Sequence, residues 1–134
     1  MKVVLDSNVI VAAFATQGLC MSVFEFVLSF HSIVCSEYIL NEVEKALAKK
    51  IKLPTTVVRE ILALLREQSI ISSDFAKLSP NVCRDAADIN ILSLAVGSQA
   101  DCIVTGDDDL LVLKEFKKIK LLSPRQFWEF ARGQ

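Results

Sequence analysis

Two stretches, Lys2-Val3-Val4-Leu5-Asp6 and Cys102-Ile103-Val104-Thr105-Gly106-Asp107, decide the fold of this 134-residue chain. Each is a short apolar run that ends at an aspartate, a pattern typical of a buried strand that leads into a helix. In a parallel α/β sheet, ligands and metals bind at the carboxyl ends of the strands. The two aspartates therefore indicate a site at one edge of such a sheet.

Outward from these two runs, strands and helices alternate along the chain. Further strands are predicted at 32–35, 70–71 and 119–122, and helices at 8–14, 21–30, 36–50, from 55, at 86–96, from about 108 and from 124. Residues 76–83 are the one clear loop. This alternation predicts right-handed crossovers and a single domain over residues 1–134, a three-layer α/β/α sandwich around a parallel sheet.

The composition favours a compact globular protein. Hydrophobic residues make up 52% of the chain and charged residues 23%, so disorder is excluded. No apolar stretch approaches the ~20 residues of a membrane span. Because the sequence begins directly with a strand-like run, we expect no signal peptide and a cytoplasmic location.

The cysteines and the single histidine argue against a zinc site. The four cysteines form no CxxC pair, and His31 is the only histidine. Cys35 and Cys102 lie within apolar runs and are interpreted as buried free thiols in a reducing compartment. For His31, a packed or solvent-facing side chain is favoured over a general base. Any metal must therefore be held by oxygen, which favours Mg²⁺ or Mn²⁺.

The net charge of −1 argues against a general nucleic-acid coat protein. Lysines are nevertheless grouped in two clusters: Lys45, Lys49, Lys50 and Lys52 near a helix end, and Lys114, Lys117, Lys118 and Lys120 before the last strand. Each cluster alone is best explained as a solvated face, the first also complementing a helix C-terminus. A rim that contacts phosphates is the alternative.

Asp88 is the acid whose position is hardest to explain by solvation. On a helix it shares a face with Ile91, Leu92 and Ala95, which are expected to pack on the sheet. A carboxylate among them must be paired, protonated or bound to a metal. The structural alternative is a buried partner such as Arg84.

The other acids allow more than one interpretation. Asp6 is equally compatible with helix capping and with metal binding, and Glu42 lies at the margin of an apolar stripe, where an exposed glutamate is nearly as plausible. Acids at 107–109 begin a helix, where the macrodipole favours them whatever the function. Among them Asp107 is the natural ligand, Asp109 is the next candidate and Asp108 is expected to face solvent, as Asp85 is expected to cap its helix.

Convergence of four acids would require a cation or bound protons. Two carboxylates ~5 Å apart repel by about 3 kcal/mol at an effective dielectric of ~20, and several such pairs approach the stability of a whole domain. A site of this kind suits phosphodiester hydrolysis, in which one metal lowers the pKa of a water and a second stabilises the leaving oxygen. The sequence contains no arrangement for a protein nucleophile.

Five motifs in order carry a resemblance over essentially the whole chain. They are Val4-Leu5-Asp6-Ser7-Asn8-Val9, Ser36-Glu37-Tyr38-Ile39-Leu40-Asn41-Glu42, Cys83-Arg84-Asp85-Ala86-Ala87-Asp88, Ile103-Val104-Thr105-Gly106-Asp107-Asp108-Asp109-Leu110-Leu111 and Leu122-Ser123-Pro124-Arg125-Gln126-Phe127. The chain resembles the PIN-domain (PilT N-terminus-like) proteins of the bacterial and archaeal type that are toxins of toxin–antitoxin pairs. The resemblance implies a five-stranded parallel sheet of order 3-2-1-4-5.

The resemblance also implies an activity and a site. It implies a Mg²⁺- or Mn²⁺-dependent endoribonuclease with RNA as substrate, and an antitoxin or homodimer (or higher oligomer) as partner. The implied catalytic and metal-binding acids are Asp6, Glu42, Asp88 and Asp107, with Asp109 as an auxiliary ligand and Asn8 and Thr105 as supporting residues. Apolar residues Val57, Ile61 and Leu64 are candidates for a partner contact, although core packing is favoured for them.

One departure from the family pattern bears on activity. Relatives often read Arg-Asp-Pro-Asp-Asp-Asn where this chain reads Arg84-Asp85-Ala86-Ala87-Asp88-Ile89, so a neighbouring acid and an asparagine are missing. The third acid is kept, and the departure predicts weaker metal binding or substrate positioning. A PIN-like binding or assembly module with a weak or vestigial site is the alternative function, and retention of all four acids argues against it. Haloacid-dehalogenase-like and receiver-like phosphotransfer domains fit poorly, because the further acid and the late lysine that they need are absent.

Overall fold

A computed structural model describes residues 1–133, so Gln134, the last residue of the predicted domain, lies outside the described residues. The strands are β1 (Lys2–Leu5), β2 (Ser32–Cys35), β3 (Ser69–Ile71), β4 (Cys102–Val104), β5 (Glu115–Phe116) and β6 (Ile119–Leu122). The helices are α1 (Ser7–Thr16), α2 (Leu19–Phe30), α3 (Glu37–Lys45), α4 (Thr55–Gln68), α5 (Ala86–Gly97), α6 (Asp108–Leu111) and α7 (Pro124–Arg132). A π-helical turn (Ala46–Lys50) continues α3.

The sheet confirms the predicted fold class. Its strand order is β3-β2-β1-β4-β6-β5, and every pair except β5–β6 is parallel. The parallel part reproduces the predicted order 3-2-1-4-5, with β6 in the place of the predicted fifth strand. Because the strand order reverses after β3 and crossovers are right-handed, α5 lies on the opposite face of the sheet from α1–α4.

The edge strand β5 was not predicted from the sequence. It forms a hairpin with β6 through Lys117 and Lys118, whose φ angles are 48° and 69°. Two-residue hairpin turns of this kind need positive φ at both central residues and usually contain Asn-Gly or Asp-Gly. Because two lysines give no such signal, the sequence pattern indicated only a helix before the last strand, and that helix is the single turn α6.

The central position of β1 creates the site. Val3 pairs with Cys102 and Leu5 with Val104, so β1 and β4 are neighbours in register. The Asp6 N–H then donates to the Val104 carbonyl at 2.9 Å. The residues that follow β1 and β4 therefore lie side by side at the carboxyl edge of the sheet.

The core explains why these strands form at the centre. Val3, Val4 and Leu5 are fully buried although successive side chains point to opposite faces, so both faces of β1 are covered. Cys35 and Cys102 are buried free thiols, as predicted. Burial raises the pKa of Cys35 to about 11 and that of Cys102 to about 12, which keeps both thiols protonated and unreactive.

Local signals set the helix ends near the site. The Ser36 hydroxyl accepts from the Ile39 N–H at 3.3 Å and caps α3, as predicted. Gly97 ends α5, and a Cβ there would lie 2.1 Å from the Asp74 carbonyl oxygen. Glycine at this position therefore allows the segment after β3 to lie directly against α5.

Candidate partner residues on α4 differ in their packing. Ile61 belongs to the core with 8% exposure, which agrees with the favoured packing role, whereas Val57 is 36% exposed and Leu64 is half-buried. No single helix among residues 1–133 has the length and apolarity needed to cross a bilayer. The pair α1 and α2 reaches both only when taken together, and it is bent by 111°.

Candidate active site

Asp6 both caps a helix and belongs to the site. Its Oδ1 accepts from the Ser7 N–H at 2.7 Å, which caps α1, and its Oδ2 accepts from the Thr105 hydroxyl at 2.7 Å. Burial raises the pKa of the Asp6 carboxyl, and these two hydrogen bonds oppose the shift. The charges of Glu42 and Asp107 raise this pKa further.

Thr105 and Asn8 join the ends of the two central strands. The fully buried Thr105 hydroxyl donates to Asp6 and accepts from the Asp107 N–H at 3.0 Å. The Asn8 amide donates to Asp6 Oδ2 at 3.5 Å, and its oxygen accepts from the Gly106 N–H at 3.3 Å. Both side chains thus hold the segment after β1 against the segment after β4.

Three carboxylates form the densest part of the site. Asp88, Asp107 and Asp109 each offer an oxygen, and these three oxygens all lie within 4.8 Å of one another. Asp107 caps α6, because its Oδ1 accepts from the Asp109 N–H at 2.9 Å. Asp85 caps α5 by accepting from the Ala87 N–H, as predicted. That cap begins α5, and Asp88 lies in the first turn of this helix, near the acids that follow β4.

Asp88 has a buried oxygen with no donor. Its side chain is 5% exposed, and Oδ2 has no hydrogen-bond partner among residues 1–133. Burial raises the pKa of Asp88 to about 7, with further contributions from the adjoining Asp107 carboxyl and from the charges of Asp107, Asp85 and Asp6. Since the neighbouring carboxylates are themselves acceptors, this oxygen needs a shared proton, a cation or a water as its partner.

Arg84 does not neutralise Asp88, so the alternative of a buried ion pair was wrong. Its Nη2 contacts both oxygens of Asp109 at 3.2 Å instead. The Arg84 side chain is 86% exposed and that of Asp109 43%. Exposed pairs of this kind contribute about 0–1 kcal/mol, so the contact leaves Asp109 available to another cation.

Glu42 is joined to the segment after β1 through Ser7. It is half-buried on α3, and its Oε1 accepts from the Ser7 hydroxyl at 3.3 Å. It is not part of the group formed by Asp88, Asp107 and Asp109. The structure therefore brings three of the predicted acids into one cluster, and it links Asp6 to that cluster through Thr105 and to Glu42 through Ser7.

Sequence patterns missed two residues of this region and judged two others correctly. Ser7 and Tyr38 were not singled out, although Tyr38 stands one helical turn before Glu42 and that spacing could have indicated it. Burial raises the pKa of the Tyr38 phenol, and the charges of Glu42, Asp85, Asp6 and Asp88 add to the shift. Asp108 is exposed, as expected. His31 lies at the opposite edge of the sheet, where its Nδ1 is 3.2 Å from the N-terminal amine.

The donor set fits a hard divalent cation. The clustered groups are all carboxylate oxygens, and an all-oxygen donor set is typical of hard cations such as Mg²⁺ and Mn²⁺. Carboxylates about 5 Å apart repel by about 3 kcal/mol at an effective dielectric of about 20. A cation held by these acids would offset this repulsion and would give Asp88 Oδ2 a partner.

The site lies within the part of the chain that matches a known family. The model described as the PIN domain matches residues 2–109, a range that contains every acid of the site. This match covers well over half of the sequence, so the chain belongs to the PIN-domain family. PIN domains are generally nucleases that hydrolyse phosphodiester bonds.

Comparison with solved structures supports the fold. The chain is similar to the crystal structure of VapBC2 from Rickettsia felis bound to a DNA fragment from their promoter, with a TM-score of 0.64 and 19% sequence identity. The alignment covers 92% of this chain and 98% of that one. At this identity the likeness shows the fold alone. No curated protein matches this chain.

Proposed function

We propose that the chain is a divalent-cation-dependent endoribonuclease and the toxin of a toxin–antitoxin pair. The observation that carries the proposal is the buried, donorless oxygen of Asp88, which lies among carboxylates at the carboxyl edge of the sheet. Structural ion pairing does not account for it, because Arg84 contacts Asp109 instead. A cation site accounts for both the burial and the clustering.

The proposed ligands are the acids at that edge: Asp6, Glu42, Asp88, Asp107 and Asp109. These acids would hold Mg²⁺ or Mn²⁺, which would supply the charge that activates water for attack on a phosphodiester and stabilises the leaving oxygen. Thr105 and Asn8 position the ligands, because their hydrogen bonds fix Asp6 relative to the chain after β4. Ligand orientation by such bonds is a regular requirement of metal sites.

Within residues 1–133, no histidine stands beside the acids to activate a protein nucleophile. His31, its single histidine, lies at the other edge of the sheet. The two buried cysteines are kept protonated by burial. Attack by water on the phosphodiester is therefore the mechanism that these residues support.

The role as a toxin rests on the family and on one structural neighbour. That neighbour is a VapBC2 assembly from Rickettsia felis bound to promoter DNA, and the alignment spans nearly its whole chain. By this likeness we propose a cytoplasmic protein with an antitoxin partner and a homodimer or higher oligomer as the assembled form. Light scattering of the protein, alone and co-expressed with the product of the adjacent gene, tests these partners.

The activity is tested with purified protein, a labelled single-stranded RNA and millimolar Mn²⁺ or Mg²⁺. We expect cleavage that excess chelator abolishes and that Asp107→Asn reduces by at least about 10³-fold, equivalent to about 4 kcal/mol of barrier. Asp101→Asn is the matched control, because it removes an exposed acid at the opposite edge of the same strand. Cleavage that persists in chelator or in Asp107→Asn contradicts the proposal.

A second measurement separates the nuclease from the alternative of a binding module. Cation binding raises the melting temperature by mass action, so Mn²⁺ is expected to stabilise the wild type and not Asp107→Asn. The missing acid in Asp85-Ala86-Ala87-Asp88 is the feature that favours the alternative. Absence of any shift at millimolar Mn²⁺, together with absence of cleavage, would support a module with a vestigial site.

A further inference from the structure

A groove beside the acidic site runs along one side of α3 and its π-helical turn. It has a volume of about 370 Å³, and its lining includes Tyr38, Glu42, Lys45, Lys49 and Lys50. Glu42 is the link to the acids, because its carboxylate accepts from the hydroxyl of Ser7, the residue next to Asp6. The groove therefore begins at the site and leads away from it along the helix.

The helix geometry places these side chains in one row. Positions 38, 42, 45 and 49 follow the spacing of a single α-helical face. Lys50 joins that face because the helix widens at its end: the Ile51 N–H bonds to the Ala46 carbonyl, five residues earlier, at 3.0 Å. Turns of this kind occur frequently at functional sites.

The three lysines of the groove form no ion pair with an acid of the described residues. Within residues 1–133 the ion pairs are Arg66–Glu37 and Arg84–Asp109, so no carboxylate lies within 4.0 Å of Lys45, Lys49 or Lys50. Complementing the end of a helix accounts for one or two lysines in a last turn, but not for three that line a groove with Glu42. Their arrangement suits a chain of phosphates.

Tyr38 stands at the end of the groove nearest the acids. Its side chain is 36% exposed, and its hydroxyl has no hydrogen bond to any residue in 1–133. The pKa of its phenol is raised by the charges of four acids. They come from α3, from the start of α5 and from the end of β1: Glu42, Asp85, Asp88 and Asp6. An exposed aromatic ring at such a place can stack on an unpaired base.

We infer that this groove is the track for single-stranded RNA, with Lys45, Lys49 and Lys50 contacting backbone phosphates and Tyr38 stacking on a base next to the bond to be cut. The inference rests on the proposed nuclease function and extends it to the residues that bind the substrate. The neighbouring groove of about 420 Å³ contains only Lys50 among the lysines and is bordered by Val11, Ala12 and Ala15 of α1. It lacks the row of cations that a phosphate backbone needs.

The first test measures RNA binding without cleavage. The affinity of a short single-stranded RNA is measured in chelator over a range of salt, for the wild type, K45Q/K49Q/K50Q and K114Q/K117Q/K118Q. The second triple variant is the matched control: it removes the same charge from the cluster that precedes β6. Melting curves confirm that all three proteins are folded and that Mn²⁺ still stabilises the two variants.

The expected result is specific to the groove. Each lost phosphate contact on a single strand lowers the slope of log affinity against log salt by about 0.7, so the groove variant should lose a slope of about 2 and bind RNA at least about 10-fold more weakly at low salt. The control variant should keep the wild-type slope. Equal losses in both variants, or no loss in the groove variant, would overturn the inference.

The second test concerns Tyr38. Tyr38→Ala should weaken RNA binding by about 5- to 150-fold with no change in the salt slope, since base stacking on an aromatic ring is uncharged. Tyr38→Phe keeps the ring and should bind as the wild type does. Wild-type binding by the alanine variant, or equal loss in the phenylalanine variant, contradicts the stacking role.

The outcomes separate this inference from the proposed function. Cleavage of RNA by the wild type with unchanged affinity in the groove variants would overturn the track and leave the nuclease standing. RNA binding that depends on the groove lysines, without metal-dependent cleavage, would overturn the nuclease and leave the groove as a binding track for RNA. A polyglutamate peptide is the further probe: if the groove variants lose affinity for it but not for RNA, the groove is a site for an acidic protein segment and the inference is wrong.

Discussion

The acids at the two edges of the sheet differ in whether their carboxylates have hydrogen-bond donors. At the amino edge, Asp101 precedes β4 and its Oδ2 accepts from the Lys2 N–H at 2.8 Å. At the carboxyl edge, Asp88 lies near the end of the same strand, and one of its oxygens is buried with no donor in the described part of the chain. The first acid completes the fold, while the second makes the fold less stable unless something else is bound. The missing hydrogen-bond donor, and not the negative charge itself, therefore distinguishes the candidate site from an acid with a structural role.

The largest expected effect that tests this difference between Asp88 and Asp101 is the pH dependence of the free energy of unfolding in the absence of metal. Asp88 has a pKa of about 7 in the folded protein and an ordinary value of 3.8. Between these pH values the native state holds a proton that the unfolded chain has lost, so the free energy of unfolding falls as pH rises from about 4 to 7. In chelator, we expect the wild type to melt at a clearly higher temperature at pH 5.5 than at pH 8.

Asp88→Asn should remove most of that pH dependence. Its amide can donate to Asp107, so the variant should be more stable than the metal-free wild type at pH 8 by on the order of 2–3 kcal/mol, or roughly 10 °C in melting temperature. Asp101→Asn at the amino edge should keep the wild-type pH dependence. If the stability of Asp88→Asn depends on pH as that of the wild type does, the Asp88 carboxyl is not the group whose titration lowers the stability.

Removal of the hydroxyl that joins the two strand ends should have the next largest effect. Thr105→Val preserves the shape of the side chain but deprives Asp6 of a donor and the Asp107 N–H of an acceptor. Positioning contacts to metal ligands typically contribute 10- to 100-fold, and we expect a loss of about that size in the RNA cleavage rate. Thr105→Ser keeps the hydroxyl and should retain most of the activity; equal losses in both variants would contradict the positioning role.

A change at the hairpin between β5 and β6 should alter stability alone. Lys117 and Lys118 both have positive φ, which L-residues adopt at a cost that glycine avoids. We expect K117N/K118G to raise the free energy of unfolding by about 1 kcal/mol, or about 3–5 °C in melting temperature, because it installs the preferred turn residues. The Mn²⁺-induced shift should stay unchanged, and a destabilised variant would contradict this assignment of the turn.

The smallest expected effect concerns the exposed pair at the rim of the site. Arg84→Gln removes a cation that competes for Asp109, and exposed pairs of this kind contribute about 0–1 kcal/mol. Mn²⁺ affinity, measured by titration of the melting temperature, should therefore increase by about 2- to 5-fold. A lower affinity in this variant would mean that Arg84 supports the site instead of competing with the metal.

The parallel strands could be predicted because burial on both faces leaves a direct mark in the sequence. Val3, Val4 and Leu5 form an uninterrupted apolar run, and Cys102-Ile103-Val104 forms another. The strand β5 left no such mark. Its two residues pair only with β6. Its turn is formed by two lysines with positive φ, a conformation that lysine in a sequence does not predict.

Asp88 could be singled out because a carboxylate on an apolar helix face is unusual. The direction of Arg84 could not be predicted, since a long flexible side chain in a loop reaches acids on either side of it. Spacing on α3 placed Glu42 at the margin of the apolar stripe, but the hydrogen bond from Ser7 depends on the packing of α1 against α3. Contacts between elements distant in sequence decide such details, and local patterns do not contain them.

The carboxyl pair of Asp88 and Asp107 also has a calorimetric consequence. Under the proposed function, a cation that occupies the pair displaces the proton that Asp88 retains near neutrality, and the surrounding buffer takes up that proton. The heat of Mn²⁺ uptake at pH 6.5 should therefore differ between buffers of low and high ionisation enthalpy. The difference should shrink as the solution becomes more alkaline, because the proton has then left before the ion arrives.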